Sequence, residues 1–316
     1  MHRIIIDGDP GHDDILAFLT ALAHPEEIEI LAYSTVVGNA TVENCSRNAL
    51  KVQDYFGVAI PVAQGYEQPL TRELHLAYQF HGKTGLDGAP FLKESQRRVE
   101  KKHAVEYLKD VLLSSEEKIE IVSMGPLTNI AMLIKTYPEV IAKIERLIMM
   151  GGCFSLGNAL PKSEFNIYHD PEAARIVFDS PLKIAMAGIE ACFAGAILLK
   201  DIEALQAKGK GTRLLKSILD FYSQYAYKNN WDRIPIFDVT PIMYLLKPEI
   251  FRVEQYHVEV EIKGEVTLGM TVCDERGPVY LPEVINPREV LLDCDREEFS
   301  KAFFDSFRIL DERYEL

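Results

Sequence analysis

The chain has 316 residues, 47% of them hydrophobic and 26% charged, with a net charge of −14. That composition supports a sizeable core, in two domains or one large α/β domain, with a charged fraction ordinary for a soluble protein. So acidic a surface argues against a nucleic-acid partner, and no apolar run approaches the length of a membrane span.

The first element is a short buried strand, Ile4-Ile5-Ile6, followed by Asp7-Gly8-Asp9 and a Pro10-Gly11 turn. Apolar residues at helical spacing from Ile15 to Leu22 predict a helix over 12–24, with Asp13 and Asp14 in its first turn. A strand over 28–37 ends at Gly38-Asn39, and a helix follows over 42–56. Short strands are expected over 60–63, 119–124, 147–150 and 182–187, and a helix over 104–113. A polar, glycine-rich loop runs from His81 to Gly88. This alternation predicts a mostly parallel sheet with helices on both faces. Alternating residues from Val258 to Val272, turning at Gly264-Glu265, predict an antiparallel hairpin with one wet face. A final helix is expected over 296–310. No linker separates domains, so residues 1–316 read as one domain. The five cysteines are scattered, without metal-type spacing, and read as free thiols in a reducing cytosol. No signal peptide is evident, so the expected location is cytoplasmic.

Asp7, Asp9, Asp13 and Asp14 converge where a strand ends and a helix begins, the position at which open α/β sheets build their sites. Such carboxylates repel unless some protonate or a cation holds them. Oxygen ligands without cysteine suit calcium or magnesium. Strand termination and helix-dipole stabilisation explain one or two of the four, not all. Further polar groups follow later strands: Asn39, Thr128-Asn129, Asn158, Glu164, Asn166 and Asp170. Thr128-Asn129 and Asp170-Pro171 read as helix starts. Asn39, Asn158, Glu164 and Asn166 offer the mixed donors and acceptors that sugar hydroxyls need.

These blocks, in order, resemble the inosine–uridine-preferring nucleoside hydrolases. The resemblance is carried by Asp7-Gly8-Asp9-Pro10-Gly11-His12-Asp13-Asp14, Val37-Gly38-Asn39, His81-Gly82, Gly125-Pro126-Leu127-Thr128-Asn129, Met149-Met150-Gly151-Gly152 and the run from Gly157-Asn158 to Asn166. It implies a calcium-dependent ribonucleoside hydrolase, a homodimer or homotetramer, that releases ribose and a free base. Asp9, Asp14, Asp238 and the Met124 carbonyl then hold the calcium, with Asp7 beside them as support. Asp9 is the general base. Asp13, Asn39, Asn158, Glu164 and Asn166 grip the ribose, with Met150 under it. Where the family often carries a histidine before the late metal aspartate, this chain has Phe237, which can stack on a base but cannot protonate it. Leaving-group activation then falls to His81, a tyrosine such as Tyr225, or solvent. Of the aromatic run 221–231, Tyr225 is placed nearest the base pocket, with Trp231 and Tyr227 as alternatives. Stacking on Phe237 favours purine nucleosides. Two other readings are a strand-end Asp phosphatase, which leaves residues 158–166 unexplained, and a nucleoside- or ribose-binding protein without catalysis.

Overall fold

The computed structural model describes residues 1–276 and 286–314. In chain order the first half comprises β1 (His2–Gly8), α1 (His12–Ala23), β2 (Ile28–Thr35), α2 (Val42–Phe56), β3 (Val62–Gln64), α3 (Tyr78–His81), α4 (Ala104–Ser114), β4 (Ile119–Ser123), α5 (Thr128–Thr136) and β5 (Ile144–Met150). Then come α6 (Phe165–His169), α7 (Pro171–Phe178), β6 (Ile184–Ala187), α8 (Ile189–Ala194), β7 (Ile197–Leu198), α9 (Leu199–Ala204), α10 (Lys210–Tyr222) and α11 (Gln224–Lys228). The chain closes with β8 (Arg233–Ile234), α12 (Val239–Leu246), β9 (Phe251–Tyr256), β10 (Val258–Val260), β11 (Thr271–Cys273), β12 (Arg288–Cys294) and α13 (Arg296–Arg313). Among the described residues no helix is long and apolar enough to cross a membrane.

Eight strands form the central sheet in the order β3-β2-β1-β4-β5-β6-β12-β9. All neighbours are parallel except β9, which runs antiparallel to β12 at the edge. β1 is buried from Ile4 onward because both its faces are covered: Ile4 and Ile6 pack in one core and Ile5 in the other. The chain leaves β1 towards β2 and β3, then returns to β4 on its other side. That reversal opens a crevice at the carboxyl ends of β1 and β4.

Local chemistry sets the crevice walls. Pro10-Gly11 stops β1, and the Gly11 N–H donates to Asp14 at 3.0 Å, tying the first turn of α1. The Thr41 hydroxyl accepts from Asn44 N–H at 3.4 Å to start α2, and Gly57 ends it at φ 70°, a conformation that favours glycine.

The expected α/β domain is present, with two corrections. The late alternation is not a tight hairpin. β10 pairs with β11, but residues between them form a longer turn, in which the Glu261 carboxylate accepts from the N–H groups of Lys263 and Gly264 at 2.6 and 3.1 Å. Val266 in that turn is exposed rather than paired. The second correction is an addition: β9 and β12 extend the central sheet, and neither was expected. All five cysteines are free.

Candidate active site

The crevice is lined by carboxylates that the fold removes from water. Asp7, Asp9, Asp13, Asp14 and Asp238 are all buried. Asp7 ends β1, Asp9 follows it, Asp13 and Asp14 open α1, and Asp238 precedes α12. Asp13, Asp14 and Asp238 each present an oxygen within 4.8 Å of the other two. Asp9 and Asp7 are not in that triple.

Asp14 is held by three donors: the N–H groups of Asp9 (3.1 Å) and Gly11 (3.0 Å), and Asn39 Nδ2 (3.0 Å). Asp9 Oδ2 accepts from the Asn39 N–H at 2.7 Å, and its Oδ1 has no partner among the described residues. The backbone closes on both oxygens. A Cβ at Gly38 would sit 2.0 Å from Asp9 Oδ2, and one at Gly125 would sit 2.7 Å from Oδ1. Glycine at those positions allows the approach. Asp13 accepts from the Tyr222 hydroxyl at 3.4 Å, and its Oδ1 is also unpartnered. Asp7 faces the other way, into the sheet. Its Oδ1 accepts from Ser34 (2.5 Å) and Asn129 (2.8 Å), so it braces the β1 end from below.

Burial dominates the electrostatics. It pushes Asp7 and Asp13 up to about 7 and Asp14 to about 6, and Asp9 and Asp238 well above the usual carboxylate range. Repulsion within the cluster adds to the rise at Asp9, Asp13 and Asp238, whereas the N–H donors on Asp14 pull it back. The mutually close oxygens of Asp13, Asp14 and Asp238, with unpartnered oxygens on Asp9 and Asp13 and no nitrogen or sulfur among the donors, fit a hard divalent cation that replaces those protons.

A second wall comes from β4, β5 and α6. Met124 follows β4 and Met150 ends β5, both buried. Asn166 Nδ2 donates to both their carbonyls, at 3.1 and 3.2 Å, and so ties the two strand ends together. Glu164 caps α6, accepting from the N–H groups of Asn166 (2.9 Å), Gly152 (3.0 Å) and Ile167 (3.2 Å). Burial pushes it up to about 7 against those donors. Asn158 is on an exposed loop, its Oδ1 accepting from the Phe165 N–H at 2.9 Å.

A line of aromatic rings, most of them exposed, joins the segments of Asp238 and His81. Phe237 meets Phe193 edge-on at 5.9 Å, Phe193 meets Trp231 at 6.2 Å, Trp231 meets Tyr225 at 5.5 Å, and Tyr225 meets Phe80 at 4.8 Å. The chain of contacts thus runs from the neighbour of Asp238 to the neighbour of His81. Tyr227 is not in it: its hydroxyl donates to Glu203 at 2.8 Å. His81 is buried rather than on the surface, stacked on His12. Burial pushes His12 down to about 4 and His81 well below the usual histidine range.

Tyr222, His12, Phe193 and the bracing role of Asn129 were not found from the sequence. Tyr222 lies in an aromatic run that reads as helix packing, and His12 reads only as part of a turn-and-helix motif. Nothing in the sequence links Phe193 to Phe237.

A family model described as inosine-uridine preferring nucleoside hydrolase matches residues 4–301. A pyrimidine-specific ribonucleoside hydrolase, RihA, from Salmonella agona (strain SL483) is 42% identical over 301 residues, 94% of this chain and 95% of that protein. A plant nucleoside hydrolase, PpNRh1, superposes with a TM-score of 0.90 at 30% identity, covering 97% of this chain and 98% of that one. A purine-preferring ribonucleoside hydrolase from Gardnerella vaginalis gives a TM-score of 0.89 at 26% identity, covering 98% and 99%.

Proposed function

The chain belongs to the inosine–uridine-preferring nucleoside hydrolase family and hydrolyses ribonucleosides to ribose and a free base, and from that premise we propose that it does so with calcium, on pyrimidine ribonucleosides. The observation that carries the proposal is the buried carboxylate cluster with its unpartnered Asp9 and Asp13 oxygens. Asp9, Asp14, Asp238 and the Met124 carbonyl are the proposed ligands, and Asp7 supports the strand end that presents them. Calcium there supplies positive charge and Lewis acidity towards water and the ribose hydroxyls.

The residues do the rest. Asp9 takes a proton from the attacking water through Oδ1. Asp13, Asn39, Asn158, Glu164 and Asn166 hold the ribose above Met150. Glu164 offsets the positive charge that develops on the ring as the N-glycosidic bond lengthens. The base enters among Phe237, Tyr225 and His81. Phe237 has no proton to give, so His81 is the proposed donor to the departing base. The name of the RihA relative, the more similar in sequence, supports pyrimidines, although the Gardnerella vaginalis relative is purine-preferring and stacking alone favours purines. A homodimer or homotetramer and a cytoplasmic location are proposed on the resemblance, and light scattering checks the former. The net charge of −14 supports a small-molecule substrate over nucleic acid.

The test is product analysis. Uridine should yield ribose and uracil, faster than inosine yields hypoxanthine. Chelation should stop both, and calcium should restore them. Ribose release unaffected by exhaustive chelation would overturn the metal assignment.

Calcium should also stabilise the folded chain, by about 2.7 kcal/mol at a hundred times Kd, which raises Tm by roughly 4 °C for a chain of this size. The sign with pH follows from the raised carboxyls. Asp7, Asp13 and Asp14, at about 7, 7 and 6 against 3.8 unfolded, bind protons more tightly when folded. The chelated protein therefore loses stability as pH rises from about 4 to 7. Calcium binds the deprotonated cluster, so its Tm gain should be larger at pH 8 than at pH 5. Asp14→Ala should lower the chelated Tm, by orphaning the Asp9 and Gly11 N–H groups, and should abolish the calcium gain. A full gain in that variant would remove Asp14 from the ligands.

Phe237→His restores a proton donor where the line of rings begins. It should change the uridine-to-inosine ratio of kcat/KM, or its pH dependence. Unchanged kcat/KM for inosine, uridine and cytidine at several pH values would make residue 237 a packing residue only.

A further inference from the structure

The rings of His12 and His81 are stacked beside the acidic cluster, centroids 5.4 Å apart and planes 23° apart. His12 Nε2 lies 2.7 Å from the Asp87 carbonyl oxygen. A carbonyl only accepts, so neutral His12 carries its proton on Nε2 and keeps a lone pair on Nδ1. His81 Nδ1 then faces two groups of His12, the backbone N–H and the bare ring Nδ1, each at 3.3 Å. One is a donor and the other an acceptor. Phe221 and Tyr222 stack on the His12 ring at 4.9 and 5.7 Å and fix its plane. His81 Nε2 has no partner among the described residues.

We infer that His12 is a positioning residue for His81, offering Nδ1 a partner in either protonation state so that Nε2 can pass a proton to the leaving base without the ring moving. The inference rests on His81 being the leaving-group donor. With Nδ1 bare, His81 accepts from the His12 N–H. With both nitrogens protonated, its Nδ1–H donates to His12 Nδ1. As the bond from C1′ to the base breaks, its electron pair leaves with the base, which takes the Nε2 proton. His81 is left neutral, its remaining proton still bonded to His12. The water that adds to C1′ gives its proton to Asp9, which then releases it to solvent, and solvent returns one to His81. The sum is nucleoside plus water to ribose plus base. Burial makes protonated His81 a strong acid, and the His12 lone pair offsets part of that cost.

The experiment compares kcat/KM for uridine, whose base needs a proton, with p-nitrophenyl riboside, whose phenolate does not. His12→Phe keeps a ring against Phe221 and Tyr222 and keeps the backbone N–H, but removes the acceptor. His12→Asn places an amide oxygen near the lost Nδ1. The uridine-to-p-nitrophenyl ratio should fall by roughly 10² or more in His81→Ala and by roughly 10–100-fold in His12→Phe. In His12→Asn it should stay within roughly threefold of wild type. A ratio in His12→Phe equal to wild type, with both substrates slowed together, would show that His12 only supports Asp13 and Asp14, and would overturn the inference. An unchanged ratio in His81→Ala sinks the donor reading itself. A lowered ratio there with an unchanged one in His12→Phe sinks only the role of His12. His12→Leu, without either nitrogen, serves if the Phe variant does not fold.

Discussion

Asp9→Asn is expected to lower kcat for uridine by roughly 10²–10⁴, the usual cost of losing a general base. The geometry makes this a clean substitution. Asp9 Oδ2 is pinned by the Asn39 N–H at 2.7 Å, so the amide oxygen takes that place. The amide nitrogen then stands where Oδ1 stood, and it cannot accept a proton. The backbone at Gly38 and Gly125 comes close to the two carboxylate oxygens. Losing a charge also weakens a cation, so the measurement belongs at saturating calcium. p-Nitrophenyl riboside should slow as much as uridine, because the attacking water needs its base whatever group leaves. Turnover near wild type would move the base to another carboxylate. Asp13, with its own unpartnered Oδ1, is the alternative.

The amino-terminal half of the sheet was legible because β1, β2 and β4 have apolar stretches that run into a buried carboxyl end, and a glycine or proline stops the chain at or within three residues of each end. Continuous apolar runs with abrupt stops leave few alternatives. β9 carries no such run, and the Val290-Leu291-Leu292 run of β12 passes into Asp293-Cys294-Asp295 without a glycine or proline stop. β9 is an edge strand, Phe251-Arg252-Val253-Glu254-Gln255-Tyr256, with mostly exposed or half-exposed side chains. β12 opens on Arg288, which reads as surface. In the fold it is buried, and its guanidinium donates to the carbonyls of Phe178, Ser180 and Leu182 where α7 ends and β6 begins. The hairpin was misread for a related reason. Period two persists through residues 258–272, but the Glu261 carboxylate captures two turn N–H groups, and Gly269, at φ 76°, bends the return.

In the site, residues contiguous with a strand end could be placed from sequence, and those meeting across the fold could not. Asp7 to Asp14 form one block whose turn chemistry brings them together. Tyr222 reaches Asp13 from 209 positions away, and Asn129 reaches Asp7 across 122. Those contacts follow from how α10 and α5 pack, which no local pattern records. The amides hold a subtler lesson. Asn39 and Asn166 suit a sugar by type, yet their NH2 groups are spent on Asp9, Asp14 and the Met124 and Met150 carbonyls. What they have left for a ligand is oxygen.

That remainder makes the strongest substrate prediction. Asn39 Oδ1, Asn166 Oδ1 and Asp13 Oδ1 have no protein donor among the described residues. The wall therefore presents acceptors, and a ribose hydroxyl is a donor. A ribonucleoside pairs them. A 2′-deoxyribonucleoside leaves at least one without its hydroxyl partner, at about 1–3 kcal/mol for a buried neutral acceptor and more for a carboxylate. It also removes an oxygen that the cation would otherwise contact. Sites built to bond a hydroxyl reject the analogue lacking it by roughly 10⁴–10⁵. 2′-Deoxyuridine is therefore expected to show kcat/KM roughly 10³–10⁵ below uridine, most of it in kcat, since the bonds strengthen as charge develops on the ring. Asp13→Ala should shrink that ratio by lowering the uridine value far more than the deoxyuridine value. Comparable kcat/KM for the two nucleosides in the wild-type protein would mean that these oxygens do not face the sugar, and the ribose would have to lie elsewhere in the crevice.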